Sequence, residues 1–145
     1  MKAERRAEVV WEGTLPKGKG QLQFGSGAAD LPVTWASRVE RSDGKTSPEE
    51  LIAAAHASCY VMALSLTLAN GGTAPERLAV SAVCTLDDSS GAPKISTSTL
   101  EVRGKVPGLD EAGFVQAAEK AEQLCPVSNA LRNNVAIQLH AHLEP

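Results

Sequence analysis

Two cysteines are the side chains of this sequence best suited to chemistry. Cys59 lies in the middle of an apolar segment, and Cys125 comes directly before a proline. If the two thiols lie close together, one thiolate can attack an electrophile and the other can resolve the product as a disulfide. The alternative is inert burial, because free cysteines often pack as small apolar residues. The residues alone leave both interpretations open; for Cys84 they favour core packing.

A reactive cysteine has to ionise, since the thiolate is the nucleophile and a free thiol has a pKa of about 8.5. Cys59 is predicted at mid-helix, so its ionisation needs a cation. Arg38, predicted at the end of a strand, is the nearest upstream arginine and by itself suggests an ordinary solvated charge. Cys125 is predicted at the start of a short helix, where partial positive charge favours a thiolate. Local reasoning therefore makes Cys125 the more acidic thiol.

The three histidines offer a base or metal ligands. His56 precedes Cys59 by one helical turn, and His140 and His142 alternate along a predicted strand. No spacing typical of a zinc site connects them. We therefore expect a packed His56, solvated histidines at 140 and 142, and no metal.

The longest predicted element is a helix over residues 47–70. Ser47 and Glu50 form a capping box at its start, and Gly71 follows its end. Residues 52–74 contain no Asp, Glu, Lys or Arg, which predicts a helix buried on all sides. A membrane span is the alternative on length, but the alanine-rich composition and the polar His, Ser and Thr side chains favour a central core helix.

The remaining pattern predicts an α+β fold with largely antiparallel sheets, in a single domain over residues 1–145. The predicted elements are a hairpin over 7–24, strands over 31–39, 78–86 and 94–106, an amphipathic helix capped by Asp110, a short helix over 127–132 and a last strand over 135–144. The apolar stripe of the amphipathic helix consists of Phe114, Ala117, Ala118, Ala121 and Leu124.

Composition restricts the partners and the compartment. A net charge of −3 and a pI near 5.6 argue against nucleic acid or an anionic membrane as the main partner. The sequence shows no basic and then apolar leader, and three cysteines fit a reducing compartment, so we expect a cytoplasmic protein. One small sheet cannot cover a wholly apolar helix, which predicts a homodimer in which two such helices pack together.

Three segments resemble one known family. Residues 47–59, reading SPEELIAAAHASC, resemble the signature helix of the osmotically inducible protein C (OsmC) and organic hydroperoxide resistance (Ohr) family. Residues 124–128, reading LCPVS, resemble its second signature. The WEG of residues 11–13, followed by the GKG of residues 18–20, resembles the OsmC branch. The Ohr branch places an arginine in this N-terminal hairpin, where the present chain has lysines.

The resemblance implies a fold and an activity. The fold would be sheets wrapped around a long central helix in an intertwined homodimer. The activity would be thiol-dependent reduction of organic hydroperoxides to alcohols, without metal or cofactor, in an apolar pocket of Ala, Val, Leu and Phe side chains. By position, Cys59 would be the peroxidatic thiol, Cys125 the resolving thiol, Arg38 the stabilising cation and Glu49 its carboxylate partner. An external dithiol, either small or on a lipoyl- or thioredoxin-type protein, would restore the thiols. The resemblance thus makes Cys59 the nucleophile, although local reasoning made Cys125 the more acidic thiol.

Helix geometry adds one expectation. Ten residues separate Glu49 from Cys59, so they lie about 15 Å apart along one helix axis. We therefore predict that the Arg38 and Glu49 serving a given Cys59 come from the partner chain. Three other functions remain open at this point: a redox sensor or stress-protective protein with little turnover, a binding module with inert thiols, and a metal-binding protein.

Overall fold

The computed structural model describes residues 1–145, which pack into two compact units, residues 1–51 and residues 52–145. The elements in chain order are β1 (Ala7–Glu12), β2 (Lys19–Phe24), β3 (Asp30–Val33), α1 (Trp35–Val39), α2 (Pro48–Asn70), β4 (Arg77–Asp87), β5 (Lys94–Lys105), α3 (Glu111–Leu124), α4 (Pro126–Leu131) and β6 (Ala136–Leu143). Only α2 belongs to both units.

The first unit is built on an antiparallel sheet in the order β1-β2-β3. The predicted hairpin over residues 7–24 is confirmed, with Trp11 opposite Gly20. A Cβ atom on Gly20 would lie 2.7 Å from Cγ1 of Val33 and 3.0 Å from Cε3 of Trp11. Glycine at this position therefore lets the indole lie against the neighbouring strand.

The predicted strand over residues 31–39 is wrong beyond Val33. Residues 35–39 form the short helix α1, and its N-cap is Thr34. The Thr34 Oγ1 accepts a hydrogen bond from the Ser37 amide at 3.0 Å, and the Ser37 Oγ accepts one from the Thr34 amide at 2.9 Å. This reciprocal cap closes a helical turn in a segment whose apolar alternation is typical of a strand. Arg38 consequently lies in the last turn of a helix.

The long helix α2 is confirmed, but the prediction of burial on all sides is wrong for one chain. Its buried residues are Glu49 in the first turn and one stripe spaced by four residues, His56, Tyr60, Leu64 and Leu68. Met62 and Leu66 remain 66% and 62% exposed. By length and composition α2 also qualifies as a candidate membrane span, a test that the core helix of a soluble protein passes too.

The second unit contains a sheet in the order β4-β5-β6. β4 and β5 pair antiparallel, whereas β5 and β6 pair in parallel. The prediction of largely antiparallel sheets is thus confirmed, with one parallel pair that the alternation of residues 135–144 could not reveal. A parallel pair needs a crossover connection, which α3 and α4 supply.

Helix α3 packs its apolar stripe into the core of the second unit. The Asp110 side chain caps it by accepting a hydrogen bond from the Gly113 amide at 2.8 Å, as expected. Phe114 is fully buried, but Leu124 is 57% exposed, so its predicted place in the core is wrong. At 3.6 residues per turn Leu124 lies roughly 80° around the helix from Phe114, at the edge of the stripe.

Candidate active site

The structure brings the two candidate thiols together. Cys59 lies in the middle of α2, and Cys125 is both the C-cap of α3 and the N-cap of α4. The side chain of Cys125 is within hydrogen-bonding contact of the Cys59 thiol. Cys125 is fully buried and Cys59 is partly buried against the core cluster. The proximity that the sequence left open is therefore present within residues 52–145.

The first turn of α4 offers amide groups to both sulfurs. The Ser128 amide donates to the Sγ of Cys125 at 3.5 Å, and the Val127 amide donates to the Cys59 sulfur. Pro126 occupies the first helical position, where its missing N–H costs nothing. An amide that donates to sulfur favours the thiolate over the thiol, so the Val127 contact lowers the pKa of Cys59.

The pKa of the Cys59 thiol is nevertheless raised above its ordinary value. Burial raises this pKa most, the Val127 amide opposes the rise, and contact with Cys125 adds to it. No cationic side chain of residues 52–145 contributes to the shift. Within its own unit, Cys59 lacks the cation that the sequence analysis required.

Arg38 and Glu49 form an ion pair within the first unit. Arg38 donates from Nε and Nη2 to Oε1 of Glu49, at 3.1 Å and 2.8 Å. The Glu49 side chain is 8% exposed and that of Arg38 is 33% exposed. Two nitrogens that donate to the same oxygen of a buried carboxylate, with Nε also 3.3 Å from Oε2, fix the orientation of the guanidinium. The Arg38 guanidinium is therefore fixed by an ion pair and is not the freely solvated charge that the sequence suggested.

An apolar cavity of about 370 Å³ lies beside Arg38 in the same unit. Its walls include Val9, Leu15 and the indoles of Trp11 and Trp35. The sequence analysis expected Ala, Val, Leu and Phe side chains, and it missed both tryptophans. Trp11 could have been found from its alternation with Val9, whereas Trp35 was hidden by the wrong strand assignment.

His56 is packed, as predicted, and both of its ring nitrogens have partners. Nδ1 lies 2.7 Å from Oγ of Ser98 on β5, and Nε2 lies 2.8 Å from Oγ of Ser128 on α4. All three side chains are fully buried. The sequence analysis missed both serines, because they are 42 and 72 residues away from His56 and carry no local signal.

The other two histidines are exposed, as predicted. His140 Nδ1 lies 2.6 Å from Glu101, and His142 Nδ1 lies 3.9 Å from Glu111. Both imidazoles are more than half exposed. No group of three or more His, Cys, Asp or Glu side chains is arranged to hold a metal ion. Cys84 is partly buried on β4.

A family model described as OsmC-like protein matches residues 41–140. The chain belongs to the OsmC-like family. Its relatives include Peroxiredoxin OsmC of Escherichia coli, which is 36% identical over 138 residues, covering 94% of this chain and 96% of that protein. The Organic hydroperoxide resistance protein of Xanthomonas axonopodis pv. citri is 34% identical over 97 residues, covering 65% of each chain.

The OsmC-like fold is also found by structural comparison. The crystal structure of the organic hydroperoxide resistance protein OhrB of Bacillus subtilis superposes with a TM-score of 0.72 at 25% identity, covering 94% of this chain and 98% of that one. The family resemblance drawn from the two cysteine motifs is thus confirmed, as is the α+β fold with a long central helix.

Proposed function

We propose that this OsmC-like protein is a thiol-dependent peroxidase that reduces organic hydroperoxides to alcohols. Relatives named for peroxiredoxin activity and for organic hydroperoxide resistance support a role in removing peroxides. The observation that carries the finer proposal is the contact between the thiols of Cys59 and Cys125. A nucleophile with a second thiol in reach can pass from sulfenic acid to disulfide without leaving the site.

The proposed cycle has three steps. The Cys59 thiolate attacks the distal oxygen of the hydroperoxide, and the O–O bond breaks to give an alkoxide, which leaves as the alcohol, and a Cys59 sulfenic acid. The Cys125 thiol then attacks that sulfur, an S–S bond forms and water leaves. An external dithiol reduces the disulfide by thiol exchange, whether it is a small molecule or a lipoyl- or thioredoxin-type protein. No cofactor or metal takes part.

Arg38, held by Glu49, is the proposed cation of this cycle. It would stabilise the Cys59 thiolate before attack and the developing negative charge on oxygen during it. Burial raises the pKa of Cys59, so a cation is needed to make the thiol reactive near neutral pH. Because Glu49 and Cys59 are ten residues apart, we propose that this Arg38 and Glu49 belong to the partner chain of a homodimer.

The uncovered face of α2 supports the homodimer. Met62 and Leu66 are more than 60% exposed on a helix that carries no charged side chain after Glu50. Packing this face against a second copy would remove it from water, and burial of apolar surface is the main driving force of such association. In this arrangement the whole of residues 1–145 acts as one OsmC-like domain, and the protein works in the cytoplasm, where reducing dithiols are available.

The cavity beside Arg38 supplies the proposed preference for organic substrates. Indole and aliphatic walls favour an alkyl or aryl group over hydrogen peroxide, which has no apolar part to bury. The Arg38 guanidinium, which lines this cavity, can bind the peroxide oxygens while the organic group occupies the cavity.

The proposal is tested by following consumption of tert-butyl hydroperoxide with a dithiol reductant. Wild-type protein is expected to turn over, Cys59→Ser to be inactive, and Cys125→Ser to lose turnover while still forming a sulfenic acid. Cys84→Ser is the matched control and is expected to remain active. A Cys59→Ser variant as active as wild type would overturn the proposal.

A redox sensor that uses the same disulfide is the second candidate. The raised pKa of Cys59 favours it, because a thiol that is mostly protonated reacts slowly. The two candidates differ in turnover: a sensor forms the Cys59–Cys125 disulfide once per chain, whereas the peroxidase consumes many equivalents of hydroperoxide.

A further inference from the structure

The buried His56 connects three elements of the second unit. Its ring lies on α2 and contacts Ser98 of β5 on one side and Ser128 of α4 on the other, at 2.7 Å and 2.8 Å. None of the three side chains is exposed. The proposed peroxidase cycle uses none of these groups, so a buried polar network of this kind needs its own explanation.

The hydrogen bonds of His56 and the pair of thiols connect the same two helices, α2 and α4. On α2, His56 lies three residues before Cys59; on α4, Ser128 lies three residues after Cys125. The contact of His56 with Ser128 is therefore a second connection between the same two helices, one turn away from the thiol contact on each. Ser128 also reaches Cys125 directly, since its amide donates to the Cys125 sulfur at 3.5 Å.

The imidazole is held on both sides. A neutral histidine has one N–H donor and one acceptor nitrogen, so one serine hydroxyl donates to the ring and the other accepts from it. Neither serine can turn away without leaving a buried polar atom unpaired, which is unfavourable in the core. The two hydrogen bonds of the ring thus fix the position of the first turn of α4 relative to β5.

We propose that His56 is a positioning residue for the resolving thiol: by binding Ser128 it holds α4 where Cys125 can reach Cys59. The proposal rests on the proposed function and adds to it a residue that governs the second step. In that step the S–O bond of the Cys59 sulfenic acid breaks, the S–S bond forms, and the hydroxyl leaves with the Cys125 proton as water. A disulfide tolerates little error in the separation of its two residues, so a small displacement of α4 slows it.

Four variants separate the connection to α4 from the general stability of the core. Ser128→Ala removes the bond to α4. His56→Gln places an amide near the position of Nε2 and keeps that bond, whereas His56→Asn places an amide near Nδ1 and keeps only the bond to Ser98. Tyr60→Phe is the matched control: it removes another fully buried hydrogen bond of α2, from the Tyr60 hydroxyl to the Ala118 carbonyl at 2.9 Å.

The first measurement does not depend on peroxide. Each full-length variant is equilibrated with glutathione redox buffers, and the fraction of Cys59–Cys125 disulfide gives the effective concentration of one thiol at the other. We expect Ser128→Ala and His56→Asn to lower it about tenfold or more, and His56→Gln and Tyr60→Phe to stay within about threefold of wild type. Ser128→Ala at the wild-type value, or Tyr60→Phe falling equally, would overturn the proposal.

The second measurement follows the resolving step. After treatment with tert-butyl hydroperoxide, mass spectrometry of the Cys59 peptide is expected to show more sulfenic and sulfinic acid in Ser128→Ala than in wild type, since slow resolution leaves the sulfenic acid open to further oxidation. Equal amounts in both proteins would contradict the proposal. Wild-type protein that forms the disulfide in glutathione but consumes no hydroperoxide would overturn the proposed function alone.

Discussion

The Arg38 guanidinium binds the Glu49 carboxylate through two nitrogens, at 3.1 Å from Nε and 2.8 Å from Nη2 to the same oxygen. The two residues come from different helices, the last turn of α1 and the first turn of α2. The Glu49 side chain is 8% exposed, so this is a largely desolvated carboxylate whose charge is matched by one cation.

Removing the Glu49 charge is expected to lower activity, because Arg38 loses the partner that orients it. In Glu49→Gln the guanidinium loses its charged partner and its fixed orientation, so kcat/KM for tert-butyl hydroperoxide should fall about tenfold or more. Glu50→Gln is the control, because Glu50 is the exposed neighbour on the same turn of α2. Equal activity of the two variants would count against a role for Glu49.

The pH dependence of Cys59 should reveal the proposed cation. Burial raises the pKa of this thiol, so in Arg38→Met, with the cation removed, its ionisation should shift to higher pH than in wild type. The rate of alkylation of the Cys59 peptide by iodoacetamide, measured against pH, reports the shift. Arg41→Met is the control, since Arg41 is 84% exposed. An unchanged midpoint in Arg38→Met would show that Arg38 does not act on this thiol.

The buried histidine should make stability depend on pH. Burial lowers the pKa of His56, while the Glu122 carboxylate opposes the change. As the pH falls below about 6.5 the unfolded chain takes up a proton that the folded chain resists, so the free energy of unfolding decreases with falling pH. Urea denaturation of wild type and His56→Gln at about pH 7.5 and about pH 5.5 measures the effect.

The control for His56→Gln is His140→Gln, because His140 is exposed. His140→Gln should retain the loss of stability at low pH, whereas His56→Gln should lose most of it, because Gln does not titrate. If both variants kept the wild-type dependence on pH, groups other than His56 would be its cause.

Gly104 is expected to tolerate no side chain. A Cβ atom there would lie 2.5 Å from Cε2 of Phe114 and 3.0 Å from Cδ2 of Leu78. Gly104→Ala should therefore lower the free energy of unfolding by about 1–3 kcal/mol. Gly71→Ala, whose nearest contact would be 3.4 Å, should change it by less than about 0.5 kcal/mol. Chemical denaturation of both variants checks the difference, and similar values would show that Phe114 can move aside.

A charge on the uncovered face of α2 should prevent dimer formation. Leu66→Glu is expected to sediment as a monomer in analytical ultracentrifugation, because a carboxylate in the proposed interface would have to be desolvated. Val83→Glu is the control, on a side chain of equal exposure on β4. A Leu66→Glu protein that remained a dimer would place the interface elsewhere.

The local features of the fold were predictable from sequence. The hairpin, the Asp110 cap of α3 and the alternation of β4 all follow from residues that lie close together in the chain. Half of the capping box predicted for α2 is present: the Ser47 Oγ accepts a hydrogen bond from the Glu50 amide at 3.1 Å, whereas the Glu50 carboxylate contacts Thr46. The helix α1 was missed, because its capping box pairs Thr34 with Ser37 and lacks the usual Glu or Gln at that position. The segment around it alternates as a strand does, so the pattern favoured the wrong element.

The site was only partly predictable, because its contacts are long-range. The cysteine motifs identified Cys59 and Cys125, but their contact depends on how α4 packs against α2. The partners of His56 lie on β5 and α4, and no local pattern marks a serine as the partner of a distant imidazole. The parallel pairing of β5 with β6 was hidden for the same reason, since alternation gives the faces of a strand and not the direction of its neighbour.

The parallel pairing of β5 with β6 makes folding of the second unit depend on a long-range contact. β6 joins β5 only after residues 106–135 have closed into a crossover, and Cys125 lies inside this segment. Closing a long loop before its contacts form is entropically unfavourable and slows folding. Cys59 on α2 and Cys84 on β4 both precede this crossover in the chain. An oxidant present during refolding can form a disulfide before the crossover closes, so we expect more native protein from refolding under reducing conditions.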